Sequence, residues 1–189
     1  LINPLSSEDV DNGVDQDCDG IELCFTDADS DGFRNQVTSL TTDSSDLDCD
    51  DAGEGPSLEP ATDCDDTDPQ SYPGASEIVS DGIDQDCDTE ELCFIDADSD
   101  GFRNVDTSLT MVSTDLFCDG AGEGDISEPN TDCNDLSSSS YTGAPEVVDD
   151  GIDQDCDSGD SCYLDSDSDG FRHIDASLSV GSGDLDCDD

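Results

Sequence analysis

The sequence predicts a mostly irregular protein with short β-strands and little or no helix, built as an extended tandem-repeat rod. Three observations lead there. The chain repeats itself at a fixed interval: Cys18, Cys87 and Cys156 are each 69 residues apart (87 − 18 = 69), as are Cys24, Cys93 and Cys162, and Cys49, Cys118 and Cys187. No segment carries a convincing 3.6-residue apolar period. Eleven cysteines and a net charge of −51 over 189 residues describe a chain that must be stapled rather than packed.

The acids are selective. Of 54 acidic residues 44 are Asp, against three Arg and no Lys. Such a balance fits intrinsic disorder or a solvated surface, but neither prefers Asp so heavily. Neither places the acids in register with a repeat. Short carboxylates at alternating positions suit loops that turn oxygens inward toward an ion. The same composition excludes nucleic acid as a partner, because no basic patch exists to meet phosphates. No apolar run is long enough to span a membrane. A disulfide-dense, lysine-free chain belongs outside the cytosol, at the cell surface or beyond it. Zinc is disfavoured, since the nearest cysteines, Cys18 and Cys24 and their copies, are six residues apart and His173 is the only histidine.

Taken in order, residues 1–61 read as a partial repeat lacking its opening cysteine, 62–130 as a complete 69-residue repeat, and 131–189 as a partial repeat. The expectation is a window of a longer array. Two-residue strands are expected to lead into each acidic loop at Phe25, Phe94 and Tyr163. The β-branched stretch Val105–Phe117 predicts a short strand or hairpin. "YPGASE" (72–77) and "GAGEG" (120–124) read as turns.

The strongest motif is D-x-D-x-D-G-F. In an EF-hand-type loop, side chains at positions 1, 3 and 5 face the ion, Gly at 6 makes the sharp turn, and the carbonyl at 7 contributes. The pattern places Asp27, Asp29, Asp31 and the Phe33 carbonyl in the first copy. It places Asp96, Asp98, Asp100 and Phe102 in the second, and Asp165, Asp167, Asp169 and Phe171 in the third. Position 12 holds Thr38, Thr107 or Ala176 rather than a bidentate Glu. Water or another part of the repeat must supply the missing oxygens. All-oxygen loops suit calcium, several ions per repeat.

A weaker candidate is "DGIDQDCD". It offers Asp15, Asp17 and Asp19, then Asp84, Asp86 and Asp88, then Asp153, Asp155 and Asp157, but only the first copy continues with a Gly, Gly20. A third candidate is "DCDDTD", with Asp63, Asp65, Asp66 and Asp68, matched by Asp132, Asn134 and Asp135. Glu77 and Glu146 follow the nearby turns and offer a bidentate carboxylate.

The stretch "DCDDTDPQSYPGASEIVSDGIDQDCD" resembles the MopE-type metal-binding motif of secreted bacterial proteins. The resemblance covers 62–88 and 131–157, with the motif's tail at 8–20. The "DADSDGF" loop is similar to thrombospondin type 3 calcium repeats. The first resemblance implies extracellular tandem repeats with bound metal. Its namesake is associated with copper, which prefers imidazole or soft sulfur, while this chain has one His and one Met, Met111.

Cysteine pairing stays open in the sequence itself. The family pattern favours Cys64–Cys87 and Cys133–Cys156. That leaves Cys24–Cys49, Cys93–Cys118 and Cys162–Cys187, with Cys18 alone. The alternative joins Cys18 to Cys24 and Cys49 to Cys64, leaving Cys187 alone.

Arg34, Arg103 and Arg172 each follow Gly-Phe, placed to screen their own acidic loops or to clamp a carboxylate of a neighbouring repeat or chain. Every carboxylate belongs to the repeat, so no enzyme and no small-molecule substrate is expected. The functional expectation is a structural, calcium-rigidified extracellular repeat protein forming a fibre or stalk, its partner being itself. The alternatives are a stalk presenting a separate adhesive domain, and a calcium-storing or mineral-nucleating protein.

Overall fold

The computed structural model describes residues 2–172, 179–183, 185 and 187. His173 and Ala176 lie outside the described residues. The chain divides into two compact units, one of Leu1–Ile78, Gly82–Glu91 and Thr114–Leu116, the other of Val79–Asp81, Leu92–Ser113 and Phe117–Asp189.

In the first unit β1 (Leu23–Asp27) is the centre of a three-stranded antiparallel sheet, between β2 (Thr41–Asp43) and β3 (Gly53–Gly55). Phe25 pairs with Thr41 on one side and Gly55 on the other. The second sheet repeats the order, with β4 (Glu91–Asp96) between β5 (Thr110–Ser113) and β6 (Gly122–Gly124). β7 (Ser161–Tyr163) pairs with β8 (Ser179–Gly181). Among the described residues there is no helix.

Phe25, Phe94 and Tyr163 lie in β1, β4 and β7, which run for five, six and three residues rather than two. Of Val105–Phe117 only Thr110–Ser113 is strand. "GAGEG" is not simply a turn, since its last three residues form β6. Its last glycine answers to close approach, as does the last glycine of β3. A Cβ on Gly124 would lie 3.0 Å from the Arg103 Cγ, and one on Gly55 in β3 would lie 2.7 Å from the Arg34 Cγ. "YPGASE" does turn: Ala75 N–H donates to the Tyr72 carbonyl at 2.9 Å with Gly74 at φ 91°, a type II arrangement with Pro at its first central position.

No apolar side chain larger than cysteine is buried among the described residues. The buried hydrophobic set is Cys24, Cys49, Cys93, Cys118, Ala144 and Cys162, while Leu5 and Leu58 are almost wholly exposed. Disulfides take the place of a core: Cys24–Cys49, Cys64–Cys87, Cys93–Cys118, Cys133–Cys156 and Cys162–Cys187, closing loops of 23 or 25 residues. Cys18 is free and exposed. Each closure contributes about 3 kcal/mol in the chain-entropy model.

Buried carboxylates add a second kind of staple. Glu22, Glu91 and Asp160 are 0%, 1% and 2% exposed. Glu22 accepts the N–H groups of Asn12 and Val14, Glu91 that of Gly82, and Asp160 that of Gly151. Each holds a turn containing left-handed residues, such as Asp11 and Gly13 in the first copy. A charge is tolerated in such a place when backbone donors replace water.

Candidate metal sites

In the first D-x-D-x-D-G-F loop, the carboxylate oxygens of Asp27, Asp29 and Asp31 lie within 4.8 Å of one another. The loop is wound around Asp27: its Oδ1 accepts Ser30 N–H at 2.7 Å and its Oδ2 accepts Gly32 N–H at 3.2 Å. Ser30 and Gly32 are both left-handed, at φ 61° and 94°. Phe33 N–H is donated to Asp31 Oδ1 at 2.7 Å. The second loop repeats this around Asp96, whose Oδ1 accepts Asp100 N–H and whose Oδ2 accepts Gly101 N–H. The third does so around Asp165, with Ser168 and Gly170 as donors. Side chains at alternating positions therefore point to one side while the backbone curls behind them.

"DGIDQDCD" has the same winding. Asp15 accepts the N–H groups of Cys18 and Gly20, Asp84 those of Asp88 and Thr89, and Asp153 those of Asp157 and Ser158. Thr89 at φ 72° and Ser158 at φ 79° occupy the left-handed position that Gly20 fills at 89°. The missing Gly is thus a matter of strain, not of a different loop. Glu8, Glu77 and Glu146 close these loops. The Glu8 Oε1 accepts Gln16 and Asp17 N–H at 2.8 and 2.9 Å, the Glu77 Oε1 accepts Asp86 N–H at 3.0 Å, and the Glu146 Oε1 accepts Gln154 and Asp155 N–H at 2.7 and 2.9 Å. Glu8, Asp15 and Asp17 gather within 4.8 Å, as do Glu77, Asp84 and Asp86. Asp19, Asp88 and Asp157 stand at the exposed side of their loops, with Asp19 and Asp88 beside Asp17 and Asp86. The buried Gln16, Gln85 and Gln154 accept the backbone N–H groups of Asp9, Ile78 and Val147, holding the segment that carries each glutamate.

The grouping of Asp63, Asp65, Asp66, Asp68 and Glu77 into one site does not hold. Glu77 belongs to the "DGIDQDCD" loop. Asp65 and Asp68 form turns: Asp65 accepts from Thr67, and Asp68 accepts from Gln70. Asn134, in the place of Asp65, is exposed and turns the chain through its own carbonyl, which accepts from Leu136 and Ser137. A charge is not needed there, and the second copy lacks one. Asp63 and Asp66 go elsewhere. Asn35 forms a parallel bridge with Asp63. Asp66 Oδ1 accepts Ala28 N–H at 2.9 Å, and its Oδ2 accepts the Asn35 amide at 3.2 Å. Asp132 and Asp135 stand in the same relation to the second loop, through Asn104 and Ala97.

The electrostatics are those of carboxylates forced together. Burial first, and the neighbouring acids next, push Asp29 up to about 6 from an ordinary value of 3.8. Burial likewise holds Asp63 and Asp132 up at about 6, with Asp29 and Asp31 adding to the first and Asp98 and Asp100 to the second. Asp31, Asp98 and Asp100 are raised mainly by burial, as are Glu77 and Asp86. Several buried oxygens have no hydrogen-bond donor: Oδ2 of Asp29, Asp31 and Asp63, and Oε2 of Glu8, Glu77 and Glu146. Buried acceptors without donors are costly unless a cation serves them. Asp63 and Asp132 also sit beside Cys64–Cys87 and Cys133–Cys156, whose sulfurs are spent in disulfides.

Three glutamates escaped the sequence reading: Glu59, Glu128 and Glu8. Glu59 and Glu128 are raised mainly by burial and next by the charges of Asp27 and Asp96, and the Glu59 Oε2 has no donor. Glu8 is the first-copy counterpart of Glu77. The signal was the repeat itself, since 128 − 59 = 69 and 77 − 8 = 69. Arg34 and Arg103 do screen their own loops, since each opposes the rise of the neighbouring Glu59 or Glu128 carboxyl. Arg34 stacks over Phe25 at 4.2 Å and donates to the Glu59 carbonyl at 2.8 Å; Arg103 stacks over Phe94 at 4.1 Å and donates to the Glu128 carbonyl at 2.7 Å. Arg172 lies over Tyr163 at 4.5 Å. Cation–π contact and backbone capture fix the segments that carry Glu59 and Glu128.

Loop winding, orphaned oxygens and disulfides in register define a tandem repeat stapled by cystines, with acidic groupings that could hold a metal ion. Residues 1–22, 63–91 and 132–161 match the family model described as "Putative metal-binding motif", whose name joins MopE to copper binding. The three matches follow one another in tandem along the chain. No curated protein matches the chain, and no solved structure does.

Proposed function

We propose that the chain is a calcium-dependent structural repeat, secreted, working as part of a fibre or stalk rather than as a catalyst. The observation that carries this reading is the recurrence of left-handed acidic loops whose inward oxygens lack donors. In the groupings of Asp27, Asp29 and Asp31, of Glu8, Asp15 and Asp17, and of Glu77, Asp84 and Asp86 every group is a carboxylate, the donor set of a hard cation. Copper fits poorly. Copper prefers imidazole or soft sulfur, while the chain has one histidine and one methionine, and ten of eleven cysteines are oxidised. Five disulfides suit an oxidising compartment. Each repeat offers a loop of each kind, so more than one ion per repeat is expected.

Titration of the metal-free chain with calcium, and separately with copper(II), tests the reading. Calcium is expected to bind at several sites with Kd of about 10⁻⁴–10⁻³ M, the range of extracellular modules. Copper uptake that excludes calcium, or no calcium uptake at millimolar concentration, would overturn it.

A further inference from the structure

We propose that each D-x-D-x-D-G-F loop is only half of a cation site, and that the D-C-D-D segment of the next repeat supplies the other half. Asp63 closes the first site and Asp132 the second. The inference rests on the metal-binding reading above and adds a location: the joint between successive repeats.

Asp63 is 2% exposed and Asp132 is 1% exposed. In both, Oδ1 accepts a backbone N–H two residues on while Oδ2 has no donor. These orphaned oxygens do not face a lone acid. They stand with the unpartnered Oδ2 of Asp29 and Asp31 in the first site, and with the unpartnered oxygens of Asp98 and Asp100 in the second. Three such oxygens at the first site and four at the second, buried without a proton donor, require a cation. The segment is delivered by backbone hydrogen bonds. Asp63 N–H donates to the Arg34 carbonyl at 3.1 Å, and Gln36 N–H donates to the Asp63 carbonyl at 3.3 Å; Asp132 and Val105 repeat this at 3.2 and 3.3 Å. Phe33 stacks on Tyr72 and Phe102 on Tyr141, at 5.3 and 4.4 Å, across the same joint.

In the third loop Asp167 and Asp169 are exposed, where Asp29 and Asp31 are half-buried. The "DGIDQDCD" sites differ in kind, because Glu77, Asp84 and Asp86 all come from one motif. A cation there shapes a motif. A cation at Asp63 ties two repeats together, and the Asp63 carboxylate supplies oxygen that the loop's position 12 lacks.

The test uses the whole chain, with calcium as the probe and a disulfide map as the check on folding. Asp63→Asn is expected to lose one bound calcium, and the Gln36 and Asp63 amides are expected to lose hydrogen-exchange protection. Glu77→Gln is expected to lose one calcium and leave those amides protected. In the unmodified chain, protection of Gln36, Asp63, Val105 and Asp132 should rise as calcium is added, a measurement that needs no variant to fold. Full calcium stoichiometry in Asp63→Asn, or protection in the unmodified chain that is indifferent to calcium, would overturn the joint site. An unmodified chain that takes up no calcium would instead overturn the metal reading beneath it.

Discussion

Asp63 carries one oxygen that a backbone donor satisfies and one that nothing satisfies. Its proton therefore competes with a cation. In the cation-free fold, Asp29, Asp63 and Asp132 are raised from 3.8 to about 6. The folded state then holds protons more tightly than the unfolded chain, so cation-free stability falls as pH rises from 3.8 to about 6 and stays low above it. Calcium requires the ionised form, so the sign reverses for binding. Affinity should be full above about pH 6 and should weaken steadily toward pH 4, with protons released on binding. Calorimetry in buffers of different ionisation enthalpy checks this, and a pH-independent affinity with no proton release would contradict it. Thr89 offers a second residue-scale prediction. A β-branched residue at φ 72° is strained by about 1 kcal/mol. Thr89→Gly should therefore stabilise the second "DGIDQDCD" loop, or at worst leave its midpoint unchanged in denaturant, whereas Gly101→Ala, at φ 89°, should cost about 1 kcal/mol or more.

At the scale of elements, β3 and β6 matter for what they leave out. The last glycine of each, Gly55 and Gly124, makes room for an arginine that stacks on the central strand and grips the backbone of Glu59 or Glu128. Gly55→Ala would place a methyl group 2.7 Å from the Arg34 Cγ and 3.2 Å from the Asp27 Cβ. The expected outcome is a loss of about 1–3 kcal/mol in denaturant unfolding, together with weaker calcium binding at the first loop. A variant with unchanged stability would show that the arginine moves aside freely. The disulfides act on the same elements from the other side: Cys24 and Cys93, fully buried in β1 and β4, tie each central strand to the segment before its third strand.

For the whole molecule, the decisive quantity is charge. A chain of net charge −51 with cystines for a core has little apolar burial to oppose conformational entropy of ~1–2 kcal/mol per residue. On the proposed metal reading, cation binding is expected to provide much of the folding free energy. The disulfides survive chelation, so EDTA should leave small cross-linked loops while the segments between them loosen. Small-angle scattering should show expansion on chelation, proteolysis should accelerate, and millimolar calcium should reverse both. An identical scattering profile after complete calcium removal would mean that hydrogen bonds and cystines hold the fold unaided.

The sequence by itself determined the period, the irregular short-strand class and the acidic loops, because a 69-residue interval and a D-x-D-x-D-G pattern are local facts of spacing. Even the glycine-poor loops at Asp84 and Asp153 were legible as alternating carboxylates, though not that Thr89 and Ser158 would accept a left-handed turn. Which carboxylates meet was decided only by the tertiary structure. Asp66 and Asp68 are two residues apart, yet one reaches a loop near residue 28 and the other forms a local turn. Glu59 gave no local sign, since its meaning comes from Arg34 holding its backbone beside Asp27. Short-range pattern fixes how a loop winds, because winding depends on φ and on hydrogen bonds within six residues. What completes the loop depends on a strand bridge 28 residues away in the chain, between Asn35 and Asp63, and that contact has no signature until the chain is folded.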